Sequence, residues 1–287
     1  MGTIEQGQRA LRTPVQETRA KARGGRGWYA VVARTGLVAK GISYGLVGAL
    51  AVKLAFGDGG KATSRQGALH ALAQHSFGRI VLILLVGGFL AYALWRVIQA
   101  VAERSDDEDS AWKAWGKRAG YLGRAAIYAG LTWSAIKILS GAGNRPQNQK
   151  AHEWTARVLG WPAGTWLVAA AGLTILGVGL WNVYRGISQN FEDKWRVVRL
   201  SPAARKWGAR AGTAGHLARG LVFGLIGVFV TKAALDFKPT DAIGLDGALQ
   251  KLIQAPYGPW LLGVTAVGLV AYGVFCLVDA RLRDVSA

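Results

Sequence analysis

Six long runs of apolar residues alternate with short, mostly basic connecting segments along this chain. The runs cover residues 36–56, 77–101, 120–140, 161–186, 215–235 and 257–280. A helix needs about 20 mostly apolar residues to cross a hydrocarbon core about 30 Å thick, and each run has that length. Apolar residues occupy most of each helix circumference, as in helices that face lipid. The pattern predicts an all-α integral membrane protein with six transmembrane helices.

The same two-span unit occurs three times. In each first span, a glycine precedes a basic residue by four positions, and a lysine follows the same basic residue by thirteen positions. Repeats of this kind indicate a modular architecture. Because each unit has two spans, every copy has the same orientation, which predicts three parallel repeats around a pseudo-threefold axis along the membrane normal. The basic residues and their lysines are Lys40 and Lys53, Arg124 and Lys137, and Arg219 and Lys232.

The repeats divide the chain into six segments, and each repeat contains two transmembrane helices. In chain order, the segments are a basic tail that is disordered or lies on the membrane surface (1–27), repeat 1 (28–101), an acidic linker (102–111), repeat 2 (112–187), a basic interfacial linker (188–206) and repeat 3 (207–287).

The charge of the chain is large for so apolar a composition. The sequence is 51% hydrophobic and has a formal net charge of +19, and most of its 35 lysines and arginines lie in segments on one side of the predicted membrane. By the positive-inside rule, both termini are expected in the cytoplasm. The expected partners are membrane lipids, anionic on the cytoplasmic side, together with other membrane proteins. No nucleic-acid-binding motif accompanies the basic residues, so nucleic acid is not an expected partner.

Two sets of residues recur at matched positions outside the basic pairs. Small residues at this spacing let membrane helices approach closely, so the matched glycines predict a packing face. Tryptophans eight residues before the first spans are typical of anchors at the lipid headgroups. The packing glycines are Gly41, Gly45, Gly48, Gly220, Gly224 and Gly227, and the interfacial anchors are Trp28, Trp112 and Trp207.

Four segments resemble signatures of a known bacterial membrane family. ARTGLVAKGISYGLVGAL, from Ala33, and HLARGLVFGLIGVFV, from His216, are similar to its first-helix signature; GALHALAQHSFG, from Gly67, and GALQKLIQAPYG, from Gly247, are similar to its inter-helix signature. This is the domain-of-unknown-function family numbered 1206, whose members carry three two-helix repeats. Repeat 2 departs from it, because the stretch from Ala151 reads AHEWTARVLGWPAG and lacks GALxxL. The resemblance implies this fold and the bacterial inner membrane, and it implies no activity or catalytic residue.

The three recurring lysines, Lys53, Lys137 and Lys232, are the candidate ligand-binding residues. Thirteen residues of helix place each about 20 Å beyond the basic residue that marks the cytoplasmic end of its span. Three hypotheses follow: the lysines extend to the outer headgroups, they form a ring that attracts an anion or an anionic lipid headgroup, or they pair with acids of the outer loops. The acids in question are Asp58, Glu153, Asp236 and Asp246.

No motif of a catalytic or metal centre occurs in the sequence. It has no nucleophile elbow, phosphate-binding loop or dinucleotide fingerprint, its four histidines do not share a helix face, and Cys276 is the single cysteine. Arg96, near the end of the second span, is expected to extend toward the headgroups.

Because these motifs are missing, we expect a non-catalytic protein without cofactor or metal. The preferred hypothesis is binding or passage of a small anion or anionic headgroup at the lysine ring, and the alternative is a scaffold or accessory subunit of a membrane complex.

Overall fold

The computed structural model describes residues 3–57, 64–102, 111–141, 147–189 and 202–282. These ranges are helical and contain no strand. A single-turn 3-10 helix, Pro239–Asp241, lies between α7 and α8. The α-helices, numbered in chain order, are α1 Thr3–Phe56, α2 Arg65–Ala73, α3 Ser76–Ala102, α4 Ala111–Leu139, α5 Gln147–Leu159, α6 Gly164–Ser188, α7 Pro202–Leu235, α8 Leu245–Gln254 and α9 Gly258–Leu282.

Five helices within these ranges are long and apolar enough to cross a membrane, which fits a multi-pass membrane protein. Their candidate spans are Ala30–Phe56, Phe77–Val101, Gly164–Ser188, Arg205–Leu235 and Gly258–Leu282. The predicted span at 120–140 lies in α4, which is not among the five. Its length is sufficient, but Arg124, two tyrosines and several small polar residues reduce its mean hydropathy. The sixth crossing therefore stays a prediction.

The six long helices pack side by side in the order α4, α3, α1, α9, α7, α6. Repeat 1 contributes α1 and α3, and repeat 3 contributes α7 and α9, so the two long helices of each of these repeats are neighbours. In the described ranges α4 and α6, the long helices of repeat 2, stand at opposite ends of the order and have no extended contact. Repeat 2 is therefore open between its two spans, unlike the other two repeats.

Small residues allow the close contacts between helices of different repeats. A Cβ at Gly41 would lie 2.8 Å from the carbonyl oxygen of Gly273, so α1 lies directly on the backbone of α9. A Cβ at Gly227 would lie 2.5 Å from the Leu176 nitrogen, which brings α7 equally close to α6. On α4, Ala125 and Thr132 are buried, and α4 packs on α3. In each case a first span lies against the second span of another repeat.

Short helices connect the two long helices within each repeat. In α2 and α8, the alanine and leucine of the GAL sequence are buried. The glycine that begins each second span lies directly beneath the preceding short helix: a Cβ at Gly78, Gly164 or Gly258 would overlap a backbone carbonyl of that helix. This close approach gives the physical reason for a glycine at the position on which the second spans align.

Several predicted segments fall partly or wholly outside the described residues. Most of the linkers predicted at 102–111 and 188–206 lies outside them, as do the side chains of residues 1–27 and of Trp112. The helix α1 begins at Thr3, inside the segment that the sequence predicts as a disordered or surface-lying tail. The other interfacial tryptophans, Trp28 and Trp207, are 53% and 67% exposed.

Candidate functional site

The three recurring lysines lie in the last turns of α1, α4 and α7, and all three are exposed. The Nζ of Lys137 stands 5.5 Å from the centre of the Trp133 ring. The Nζ of Lys232 donates to the carboxylates of Asp236, at 2.7 Å, and Asp241, at 2.5 Å. Lys232 therefore pairs with acids, as one of the three hypotheses predicts. A ligand-binding ring at these lysines stays a prediction.

The ion pair at Lys232 leads to a pH-dependent prediction. The ammonium of Lys232 lowers the pKa of the Asp241 carboxyl below its ordinary value, chiefly through the hydrogen bond it donates. A lowered folded pKa contributes stability above the unfolded pKa, and this contribution is lost as the pH falls through the folded pKa. We expect Asp241→Asn to lower the thermal unfolding midpoint only slightly at neutral pH, because the Lys232 and Asp241 side chains are 51% and 29% exposed. The difference from the wild type should vanish at a pH low enough to protonate this carboxyl in the folded protein. A difference that persists there would contradict the assignment.

The basic residues at the other end of the thirteen-residue interval point into the helix bundle. Lys40 and Arg219 lie well inside the spans Ala30–Phe56 and Arg205–Leu235. The Nζ of Lys40 is 5.1 Å from the centre of the Tyr272 ring, and Nη1 of Arg219 donates to the Tyr272 hydroxyl at 2.6 Å. The sequence predicts these residues at the cytoplasmic ends of their spans, and in the structure a tyrosine of another helix holds their side chains within the bundle.

Four buried tyrosines from α1, α3, α4 and α9 form the centre of this interior region. The rings of Tyr44 and Tyr272 meet edge to face with centroids 4.9 Å apart, and those of Tyr92 and Tyr128 lie 4.2 Å apart. Such pairs combine an apolar ring with a hydroxyl that hydrogen-bonds when buried. The tyrosines therefore supply polar groups and cation-binding ring faces within an otherwise apolar bundle.

Two further arginines reach the same tyrosines. Arg96 is only 6% exposed, and its Nη2 donates to the Tyr92 hydroxyl at 2.7 Å. The expectation that Arg96 extends to the headgroups is therefore wrong. Arg65, the first residue of α2, places its guanidinium 5.3 Å from the Tyr44 ring centre and 5.8 Å from that of Tyr128. We call the whole group the cation–tyrosine site, which comprises Lys40, Arg65, Arg96, Arg219, Tyr44, Tyr92, Tyr128 and Tyr272.

The cation–tyrosine site has more positive charge and more donors than its surroundings satisfy. Among the described residues, Asp279 is the single buried carboxylate. The Nε groups of Arg96 and Arg219 are buried and have no acceptor in the described part of the chain. The Tyr92 and Tyr272 hydroxyls accept from arginine and so keep their own protons to donate. The arrangement offers N–H and O–H donors to an anion.

A pattern in the sequence points to this site. Fourteen residues after the glycine that begins each second span stand Tyr92, Val178 and Tyr272. In repeats 1 and 3 the tyrosine meets the basic residue of the first span of its own repeat. Repeat 2 has a valine there, and its basic residue, Arg124, is exposed. The paired recurrence of a basic residue and a tyrosine identifies half of the site, namely Lys40 with Tyr92 and Arg219 with Tyr272.

The fold and the site define a helical protein of three repeated units, with several helices apolar enough to cross a membrane and a cationic, tyrosine-lined interior. The chain belongs to the family described as Domain of Unknown Function (DUF1206), whose model matches residues 35–103, 119–189 and 214–283. These matches coincide with the three repeats and confirm the family resemblance. The chain is also similar to "Uncharacterized protein YxxB" of Bacillus subtilis (strain 168), with 29% identity over 251 residues, or 88% of this chain and 90% of the relative. No solved structure matches the chain.

Proposed function

We propose that this protein is a non-catalytic membrane protein that binds an anionic group at the cation–tyrosine site. The observation that carries the proposal is the pair of buried Nε donors, on Arg96 and Arg219, that have no acceptor among the described residues. A phosphate- or carboxylate-type group fits this donor set, because the planar guanidinium presents its N–H groups in a fork that matches such oxygens.

The energetics of buried charge favour the same conclusion. Removing one ion from water costs several kcal/mol even after relaxation, on the order of the whole gain from a good ion pair. A ring face returns about 2 kcal/mol to a desolvated cation, which offsets only part of that cost. Among the described residues, the four cations of the site have a single buried carboxylate, Asp279, to balance their charge. A bound anion would offset part of that cost through charge-assisted hydrogen bonds.

We place the protein in the bacterial cytoplasmic membrane as six spans with both termini in the cytoplasm. The excess of lysine and arginine on one side supports this orientation, and the relative from a bacterium supports the setting. In three places the first span of one repeat packs on the second span of another, namely α1 on α9, α4 on α3, and α7 on α6. This recurrence supports a pseudo-threefold arrangement in which α4 is the sixth crossing.

A substitution in α7 tests anion binding directly. In an uncharged detergent, inorganic phosphate should raise the thermal unfolding midpoint of the wild type more than sodium chloride of equal ionic strength. We expect Arg219→Gln to weaken the apparent phosphate affinity by about tenfold or more, since one hydrogen bond from a charged donor is lost. Arg210→Gln is the matched control, because Arg210 is exposed on the same helix and lies over the Trp207 ring. Equal phosphate responses of Arg219→Gln and the wild type would contradict the proposal.

A second variant separates this site from the recurring outer lysines. If the triple substitution of Lys53, Lys137 and Lys232 by alanine leaves the phosphate response unchanged while Arg219→Gln reduces it, the anion binds at the cation–tyrosine site. The reverse outcome would assign binding to the lysines, as the sequence alone predicts.

A further inference from the structure

Repeat 2 lacks the contact that joins the two long helices of the other repeats. A Cβ at Gly36 would lie 2.6 Å from the Cβ of Tyr92, and one at Gly215 would lie 2.6 Å from the Cβ of Tyr272. Around Gly120, the matching residue of α4, nothing in the described part of the chain comes within 4 Å of such an atom. The matched glycine packs on the second span in repeats 1 and 3 and faces open space in repeat 2.

The corresponding face of α6 is open as well. Val178 matches Tyr92 and Tyr272 in position and is 42% exposed, whereas those tyrosines are 1% and 3% exposed. Trp181 is 57% exposed, although the aromatic residues at its position in the other repeats are buried. We call this pair of open faces, with Gly120 on α4 and Val178 and Trp181 on α6, the repeat-2 cleft.

Arg124 connects the repeat-2 cleft with the cation–tyrosine site. It follows Gly120 by four residues and therefore lies on the same face of α4, one turn further along. Its side chain is exposed, and Tyr128 of the site follows it by four residues on the same helix. The matching residues of the other repeats, Lys40 and Arg219, belong to the site itself. A ligand that enters between α4 and α6 would meet Arg124 first.

We infer that the ligand of the cation–tyrosine site is an anionic membrane lipid, whose headgroup binds the site while its acyl chains occupy the repeat-2 cleft. This inference rests on the proposed function and adds the class of ligand and its route of entry. The route is lateral, from the bilayer, and does not require an aqueous channel.

The chemistry of the cleft favours a lipid over a free anion. Among the described residues, four glycines along α4 have open space where a Cβ would stand, so the wall they form is shallow. At membrane depth a groove of this kind is filled by hydrocarbon, because water is absent there. An inorganic anion would satisfy the cations and leave this wall uncovered, whereas a lipid complements both. The glycines are Gly116, Gly120, Gly123 and Gly130.

The test compares lipid and phosphate binding in one set of variants. Val178→Phe gives repeat 2 the bulk that tyrosine supplies in the other repeats, without adding a hydroxyl to the site. Leu180→Phe is the matched control, because Leu180 is 63% exposed on α6, two residues further along the helix. Binding of phosphatidylglycerol and of phosphatidylcholine with identical short chains is measured by native mass spectrometry, and the inorganic phosphate response is measured by thermal unfolding.

We expect the wild type to prefer phosphatidylglycerol, and Val178→Phe to lower its affinity for that lipid by about tenfold while the phosphate response persists. Leu180→Phe should change neither. The persisting phosphate response also shows that Val178→Phe is folded. Unchanged lipid affinity in Val178→Phe would overturn the lateral route and leave anion binding intact. If Arg219→Gln and every other variant of a site cation keep the phosphate response, the proposed function is overturned instead. Occupation of the cleft by a second copy of the chain, seen as a dimer that excludes the lipid, would also overturn the inference.

Discussion

Replacing Gly36 or Gly215 by alanine is expected to lower the free energy of unfolding by about 1–3 kcal/mol, which is typical of added bulk in a well-packed interior. A Cβ at Gly36 would lie 2.7 Å from the Tyr92 Cα, and one at Gly215 would lie 2.6 Å from the Tyr272 Cα. These neighbours are backbone atoms, so a side-chain rotation cannot relieve the overlap. The two long helices of the repeat must separate to accommodate the methyl group.

Gly120→Ala is the matched control, since Gly120 holds the same position in repeat 2 and its Cβ would meet open space among the described residues. We expect this variant to be neutral or to gain up to about 1 kcal/mol from the higher helix propensity of alanine. Unfolding of all three variants can be followed by titration with sodium dodecyl sulfate in mixed micelles. An equal loss of stability in Gly120→Ala would mean that α4 and α6 are packed together and that the repeat-2 cleft does not exist.

The repeat architecture could be predicted from the sequence because membrane crossing imposes a length. Each apolar run must cover the hydrocarbon core, so its ends can be located within a few residues by counting. A glycine begins each second span, and its cause is a local one: the carbonyl of the preceding short helix leaves no room for a Cβ. Local constraints of this kind leave a clear pattern in the sequence.

The cation–tyrosine site could not be predicted in the same way, because its contacts are non-local. Arg219 meets a tyrosine 53 residues away, and Lys40 meets the same tyrosine from the other end of the chain. A basic residue within an apolar run is usually read as one that reaches for the interface, since an unpartnered charge in the membrane is costly. Only the packing of α1 and of α7 against α9 shows that Tyr272 supplies a partner for both cations.

The departure of repeat 2 was visible in the sequence, but its consequence was not. The missing GALxxL stretch and the valine at position 178 are both apparent by alignment of the repeats. Neither indicates whether α4 and α6 pack differently or separate, because membrane helices associate through small residues and repeat 2 retains Gly120 and Gly177. The separation follows from the structure, in which no described residue comes within 4 Å of a Cβ placed at either glycine.

A binding site made of like charges is expected to lower the stability of the protein in its empty form. Interactions arranged for a ligand are commonly kept at a cost in stability. At Lys40 the balance can be judged from magnitudes: burial of the ammonium costs several kcal/mol. The faces of Tyr92 and Tyr272 each return about 2 kcal/mol, which offsets part of that cost. Removal of this charge without loss of volume should therefore stabilise the ligand-free protein.

Lys40→Met is the substitution that tests this balance, because methionine is unbranched and fills irregular space among aromatic rings. We expect the ligand-free variant to gain about 1 kcal/mol or more in free energy of unfolding and to lose most of its stabilisation by phosphate. The measurement is unfolding in mixed micelles with and without phosphate. Lys53→Met is the matched control on the same helix, where the side chain is exposed and both effects should be close to zero. If, without phosphate, the Lys40→Met variant is less stable than the wild type, the tyrosine rings fully offset the free-energy cost of burying the Lys40 ammonium. The cation–tyrosine site would then be a structural element that needs no anion.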